Sequence, residues 1–475
     1  MARLPLLLAV GALALIGCTR TVYVVDDGHG NLREIDPPDD PADPDEPELV
    51  AVSDDDDLVI VDVATESDYV LVDDDATVYV LVDVTGRDDA PVERAPVTVA
   101  LVVDRSGSME GPKMDAARAA AASLVDELED GDAVTLVSYA SDATLEVPLT
   151  RLDRRGRAAL LRAIERLTAV GGTDLGGGLA LGASEVVRGH RPSDLARVIL
   201  ISDGRPTVGE SDPNALVDLA DRWFDEGVSV TTMGVGYDYN EDLMTSLAVY
   251  GGGNYYYVED PRDMVSTLDR EVRGIGHTVA RDVTLSLALA PGVEVREVFG
   301  YRHEQRGREV RVPMSALAAG ATRRVLVALS VPPRERGAAP LFDAQVAYRG
   351  PDERARRVDL PGKKVSFTRD PRLVARTERR PVVEKVERVR NAVLREQVMA
   401  RLDRGDRAAA EALVARRLEE SRRASARVGG AVLAKEADEV EALSDKVRAA
   451  PAPATDAYRH LRKSEKARAF DALMY

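Results

Sequence analysis

Apolar positions change their spacing several times along the chain, and each change predicts a different kind of element. Residues 58–84 carry the short β-branched runs LVIVDVA, DYVLVDD and TVYVLVDV, separated by Asp and Thr clusters, which predict strands of a sheet. From residue 97 to about 274 the pattern alternates. Strands are predicted at 97–103, 133–139, 143–147, 197–202, 228–234 and 254–258. Helices are predicted at 112–129, 155–167, 175–188, 213–226, 241–248 and 261–272. Such alternation implies an α/β unit: a doubly wound, mostly parallel sheet with helices on both faces. After about residue 277 strands return without helices, in VTLSLAL, VEVREVF, REVRVP, RVLVALSV and DAQVAYR, and their alternation predicts a β-sandwich. Since strand-rich segments stand on both sides, the α/β unit is either inserted into one sandwich or flanked by two small sheets. From 377 to 449 apolar residues recur at helical spacing, and Gly429-Gly430 punctuates an α-helical hairpin or bundle. A turn between two helices accounts for Arg404-Gly405-Asp406 without an integrin-ligand role. PAPA at 451–454 then leads into a basic stretch expected to fray as a tail.

The N-terminus begins with an arginine and an apolar run, 4–16, too short for a membrane-spanning helix; a secretory signal fits better. Beyond TVYVV, the Pro- and Asp-rich 28–49 cannot bury enough apolar surface to fold and is expected to be a disordered tether. The expected organisation is therefore a signal at 1–17, a tether at 18–50, a β-rich segment at 51–95, the α/β unit at 96–274, a β-sandwich at 275–370, helices at 371–450 and a tail at 451–475.

Charge narrows the function. The formal net charge is -19, which argues against nucleic-acid binding, because phosphate recognition needs a basic field. That charge is uneven: residues 26–57 hold 14 acidic residues against one basic, while 371–475 hold 24 basic against 17 acidic. Aromatics make up 4% of the chain, too few to favour a sugar-stacking platform. Cys18 is the single cysteine, so neither an internal disulfide nor a multi-cysteine metal site is available. The DDDD at 54–57 lacks the glycine turn and terminal Glu of a calcium-binding EF-hand loop. Trp223 and the tyrosines at 255–257 are expected to serve packing.

The hydrophobic run VTVALVV ends on Asp104 and is followed by Ser106 and Ser108; the run VILIS ends on Asp203; Thr173 lies in the glycine-rich GGTDLGGG at 171–178. Ligands of doubly wound sheets bind at the carboxyl ends of strands where the winding reverses. If the first and fourth strands are neighbours there, Asp104 and Asp203 face each other. Two close, buried carboxylates need a cation or a proton between them. With hydroxyls from Ser106, Ser108 and Thr173 they form an all-oxygen set suited to a hard divalent ion. Mg2+ fits best, with Mn2+ or Ca2+ as alternatives. His190 falls at the opposite edge of the sheet, which counts against zinc. Separately, each segment reads as a helix cap or a turn. An enzymatic alternative makes Asp104 the nucleophile of a metal-dependent phosphoryl transferase or hydrolase, but the chain has no P-loop, no GxSxG and no histidine placed as a base.

DRSGSM, GGTDL and ISDG resemble the three parts of the metal-ion-dependent adhesion site of von Willebrand factor type A domains. Asp104, Ser106, Ser108, Thr173 and Asp203 match that pattern one by one, and the resemblance extends over about 95–274. It implies Mg2+ held directly by the serine and threonine hydroxyls and largely through water by the aspartates. One coordination position would remain for an acidic side chain of a partner protein, so the site is expected to bind rather than catalyse. The order of segments is also similar to that of inter-alpha-trypsin-inhibitor heavy chains. The N-terminus resembles a bacterial lipoprotein signal, whose lipobox is matched by Leu15, Ile16, Gly17 and Cys18. This implies cleavage before Cys18, a lipid anchor on that residue and, from Thr19, an outer-membrane address if the source is Gram-negative. Adhesion and envelope-complex assembly are both compatible, as is a scaffold whose metal site is filled from within.

Overall fold

The run VTVALVVD forms the strand Val97–Asp104, buried at all positions, as a strand covered on both faces must be. Its side chains alternate: Val97, Val99, Leu101 and Val103 enter one core, whereas Ala100 and Val102 enter another. The computed structural model describes residues 57–474 except 73–75, 90–93, 192–193 and 335–336, together with two short strands nearer the N-terminus.

Six strands form the α/β sheet, in the order Gly252–Val258, Val228–Val235, Leu195–Ser202, Val97–Asp104, Ala133–Tyr139 and Ala143–Arg151. All neighbours are parallel except the last pair, a hairpin whose edge strand runs antiparallel. Helices Pro112–Glu127, Arg154–Glu165 and Met264–Gly276 cover one face, contributing Leu124, Leu160 and Leu268 to its core. Helices Leu175–Gly189, Pro213–Asp225 and Glu241–Tyr250 cover the other, with Leu179, Leu216 and Leu247. Both Trp223 and Tyr255 lie in this second core.

The strand-rich segments on either side make one sandwich. Thr77–Gly86 pairs antiparallel with Thr322–Ser330, and the four-stranded sheet runs Glu294–Phe299, Thr322–Ser330, Thr77–Gly86, Val59–Thr65. The facing sheet runs Glu304–Arg306, Glu309–Met314, Thr278–Leu289, Gly337–Arg349, Ala355–Thr368, Tyr69–Leu71, with Leu317–Ala318 also paired to Thr278–Leu289. Val61, Val80 and Val82 of one sheet share a core with Leu285, Leu287 and Val346 of the other. The α/β unit is thus inserted between residues 86 and 278 of a single sandwich.

Four helices close the chain: Arg380–Asp403, Arg407–Val428, Ala431–Arg448 and Asp456–Met474. Arg404-Gly405-Asp406 forms the first turn among them, with Gly405 at φ +75° and the Asp406 carboxylate accepting from Ala409 N at 3.1 Å. The expectation of a frayed tail at 451–475 is corrected. Asp456–Met474 is a helix whose Phe470 and Met474 enter the second α/β core, while its buried Lys463 bonds the Tyr239 carbonyl at 2.8 Å and Glu241 at 2.6 Å. Its dense charges looked like solvation in sequence; partners distant in the chain bury them.

The tether expectation is corrected at two places, since Tyr23–Asp26 and Leu32–Ile35 pair antiparallel, with Tyr23 opposite Ile35. Among the described residues no helix is long and apolar enough to cross a membrane.

Candidate metal centre

Val97–Asp104 and Leu195–Ser202 lie side by side, Val103 opposite Ile201, so Asp104 and Asp203 leave the sheet at adjacent carboxyl ends. The helix after the first strand goes to one face of the sheet and the helix after the other strand to the opposite face. The connecting loops diverge and leave a crevice.

Backbone bonds lace the three loops together. Arg105 N donates to the Tyr139 carbonyl at 2.8 Å, Val170 N to that of Arg105 at 2.7 Å, and Gly107 N to that of Gly171 at 3.1 Å. Thr173 and Thr207 exchange two more: Thr173 N donates to Thr207 Oγ1 at 2.9 Å, and Thr207 N to the Thr173 carbonyl at 3.0 Å. Gly178 lets the helix Leu175–Gly189 settle on the sheet, because a Cβ there would lie 2.5 Å from the Tyr139 ring.

All five side chains singled out in the sequence reach this crevice. Asp104 and Asp203 are fully buried, Ser106 and Thr173 nearly so, and Ser108 is exposed at the mouth. Asp104 accepts from Ser106 N and from Ser202 Oγ, both at 2.8 Å. Ser106 Oγ and Ser108 Oγ are 3.1 Å apart, and Ser108 Oγ donates to Asp203 at 2.7 Å. Thr173 enters from the third loop: a Cβ on Gly204 would stand 3.4 Å from Thr173 Oγ1 and 3.6 Å from Ser108 Oγ. Burial pushes the Asp104 carboxyl above its usual range. Hydrogen bonds from Ser106 and Ser202 pull the other way, and the nearby Asp203 charge adds to the rise.

The chemistry of this donor set fits a hard cation. Two carboxylates and three hydroxyls converge, all oxygen, and both carboxylates are out of water. His190 caps the helix Leu175–Gly189 at the far edge, where its Nδ1 lies 3.0 Å from the Val186 carbonyl, so this imidazole does not join the set.

Sequence reasoning missed three neighbours. Ser202 orients Asp104 and was visible only as the polar last residue of an apolar strand. Thr207 holds the backbone of Thr173. Lys113 Nζ bonds Asp203 Oδ2 at 2.5 Å, and its signal was a lysine in the first turn of a helix, where a cation is disfavoured. Cys18, the expected lipidation site, lies outside the described residues.

The family model of the von Willebrand factor type A domain matches residues 98–270. The uncharacterized protein YfbK of Escherichia coli (strain K12) is 30% identical over 228 residues, 47% of this chain and 39% of that protein. Inter alpha-trypsin inhibitor, heavy chain 4 of Mus musculus is 26% identical over 223 residues, 45% of this chain and 23% of that protein. The chain therefore spans less than half the length of these curated relatives. Among solved structures, a von Willebrand factor type A protein from Catenulispora acidiphila shares the fold with a TM-score of 0.66 at 20% identity, over 84% of this chain and 91% of that one. The ArnB paralog VWA2 from Sulfolobus acidocaldarius does so with a TM-score of 0.57 at 17% identity, over 88% and 98%. The likeness over most of the chain extends to the sandwich and helices, and at its centre residues 98–270 form a von Willebrand factor type A domain.

Proposed function

We propose that Asp104, Ser106, Ser108, Thr173 and Asp203 hold one divalent cation, Mg2+ by preference, and that this cation captures an acidic side chain of a partner protein. The observation that carries this reading is the pair of fully buried carboxylates in one crevice, accompanied by three hydroxyls and a single ammonium. Such a site gains from a cation, and few protein charges on the cation leave it attractive to an outside carboxylate. Von Willebrand factor type A domains mediate protein interactions and commonly bind a divalent metal, in keeping with this reading.

Against Asp104 as a nucleophile stand its complete burial and the engagement of both its oxygens by Ser106 N and Ser202 Oγ. The reading extends to the cell: a lipid on Cys18 would anchor the chain in a bacterial envelope, and the outer membrane is the proposed address. Protease treatment of intact cells separates surface adhesion, which leaves the domain accessible, from periplasmic assembly or an internally filled scaffold site, which protects it.

The test of the central reading is calorimetric titration of the chelator-treated chain with Mg2+, followed by capture from the source envelope with and without chelator. Binding should be measurable, and Asp104→Ala should lose both the metal and the capture while retaining its circular dichroism. A folded Asp104→Ala variant that binds Mg2+ as the parent does would refute the assignment.

A further inference from the structure

We propose that Lys113 is the resident counter-cation of the crevice, weakening metal binding while strengthening capture of a carboxylate by the metal once bound; this rests on the cation site proposed above. Lys113 is the second residue of the helix Pro112–Glu127, where the helix dipole disfavours a positive side chain. Its ammonium nevertheless points back to Asp203 Oδ2 at 2.5 Å, while its side chain is only a quarter exposed. The stem runs past the backbone of Gly236: a Cβ there would stand 3.5 Å from Lys113 Cε, an ordinary contact. Other cations near these loops are engaged differently: Arg105 Nε donates to Ser138 Oγ at 3.0 Å, and Arg205 is exposed, beside Arg462 and Lys463 of the last helix. Among the described residues, the ion pair made by the two buried carboxylates is that of Asp203 with Lys113.

Charge counting gives the consequence. Asp104, Asp203 and Lys113 together carry one negative charge; a divalent cation turns this into one positive charge, which a single outside carboxylate neutralises. Without Lys113, the same cation would leave the site neutral and a carboxylate would overcharge it. Lys113 therefore acts in opposite directions on two successive binding steps, by repelling the metal and by favouring the anion that follows. It also compensates Asp203 before metal arrives, when that buried charge would otherwise face Ser108 alone.

The experiment compares the full chain with Lys113→Met and Lys113→Arg. Mg2+ alone is titrated by calorimetry, thermal unfolding is followed in chelator, and acetate is titrated into the Mn2+-loaded chain by water-proton relaxation. Lys113→Met should bind Mg2+ about tenfold more tightly, melt lower in chelator, and bind acetate several-fold more weakly; Lys113→Arg should restore the parent values. A purely structural lysine would instead lose stability and metal affinity together. If the parent binds Mg2+ and Lys113→Met binds it no better, this inference fails while the site stands. If neither chain binds Mg2+, the site itself fails and takes the inference with it.

Discussion

The two ends of the α/β sheet bury charge in contrasting ways. At the carboxyl end, Asp203 meets the Lys113 ammonium and the Ser108 hydroxyl, while Asp104 accepts from Ser106 N and Ser202 Oγ and makes no ion pair among the described residues. At the opposite end, the carboxylate of Glu271 meets the Arg197 guanidinium and accepts from Thr231 Oγ1 at 2.7 Å, Asn254 Nδ2 at 2.8 Å and Tyr256 OH at 2.7 Å. The carboxyl groups respond with opposite signs. Burial raises Asp104 and the net shift stays upward. Burial also acts on Glu271, but Arg197 and the surrounding donors outweigh it and the net shift is downward. The Glu271 end also opens on a cavity of about 890 Å3 between the α/β unit and the sandwich. Its wall carries ion pairs, Arg281 with Glu353, Arg349 with Asp282 and Arg302 with Asp221 and Asp225. Unbalanced charge, rather than volume, distinguishes the candidate site from the scaffold.

The contrast breaks most severely at Arg197. Arg197→Met strands Glu271 as a buried, uncompensated charge and should cost about 3–5 kcal/mol in urea unfolding, with the response to Mg2+ unchanged. Next in size is the metal itself. Mg2+ at a hundred times its dissociation constant should raise the parent's unfolding free energy by about 2.7 kcal/mol, and Asp104→Ala should abolish the increment. An equal increment in Asp104→Ala would place the metal elsewhere.

Acid sharpens the contrast further. Because the folded-state value of Glu271 lies below the ordinary 4.5, its contribution to stability is fully present above about pH 4.5 and is lost as pH falls through the folded value. Glu271→Gln should therefore unfold more easily at pH 7 and show a shallower loss of stability below pH 4.5. Urea midpoints from pH 3 to 7 measure this. An unchanged acid limb would mean that Glu271 is not held below its ordinary value.

The carboxyl, or upper, end of the sheet is far more legible in the sequence than the opposite, lower end. Asp104, Ser106, Ser108, Thr173 and Asp203 occupy strand ends and loops, where a polar side chain after an apolar run stands out and sheet topology dictates which ends meet. Lys113 and Thr207 were hidden because their roles depend on side-chain reach across loops rather than on spacing. Arg197 and Glu271 were also invisible as a pair: 74 positions separate them, and each looks in sequence like an ordinary surface charge. The last helix was missed for the same reason, since Glu465 is buried only because Arg395 and Lys446, on two other helices, reach it. Alternation leaves open whether the strand-rich segments make one sandwich or two small sheets, because it reveals which face of a strand is buried but not which strand lies beside it.

The smallest expected effect separates the side chains of the crevice from the loops that aim them. Thr207 is exposed, and its hydroxyl accepts from Thr173 N at 2.9 Å, while the return bond from Thr207 N to the Thr173 carbonyl belongs to the backbone and survives substitution. Thr207→Ala therefore removes one of two ties, leaving a backbone N–H that water can reach through the adjacent exposed loop. The cost to stability should stay near 1 kcal/mol. Thr173 Oγ1 is the donor that enters the crevice from a separate loop, so loosening its backbone should weaken Mg2+ binding several-fold without abolishing it. Calorimetric titration beside a urea midpoint distinguishes the outcomes. A loss of affinity as complete as that of Asp104→Ala would mean that Thr207 itself contacts the ion. No loss at all would mean that the Thr173 loop is fixed by its backbone bond alone, and that the upper end of the sheet is as rigid as the lower.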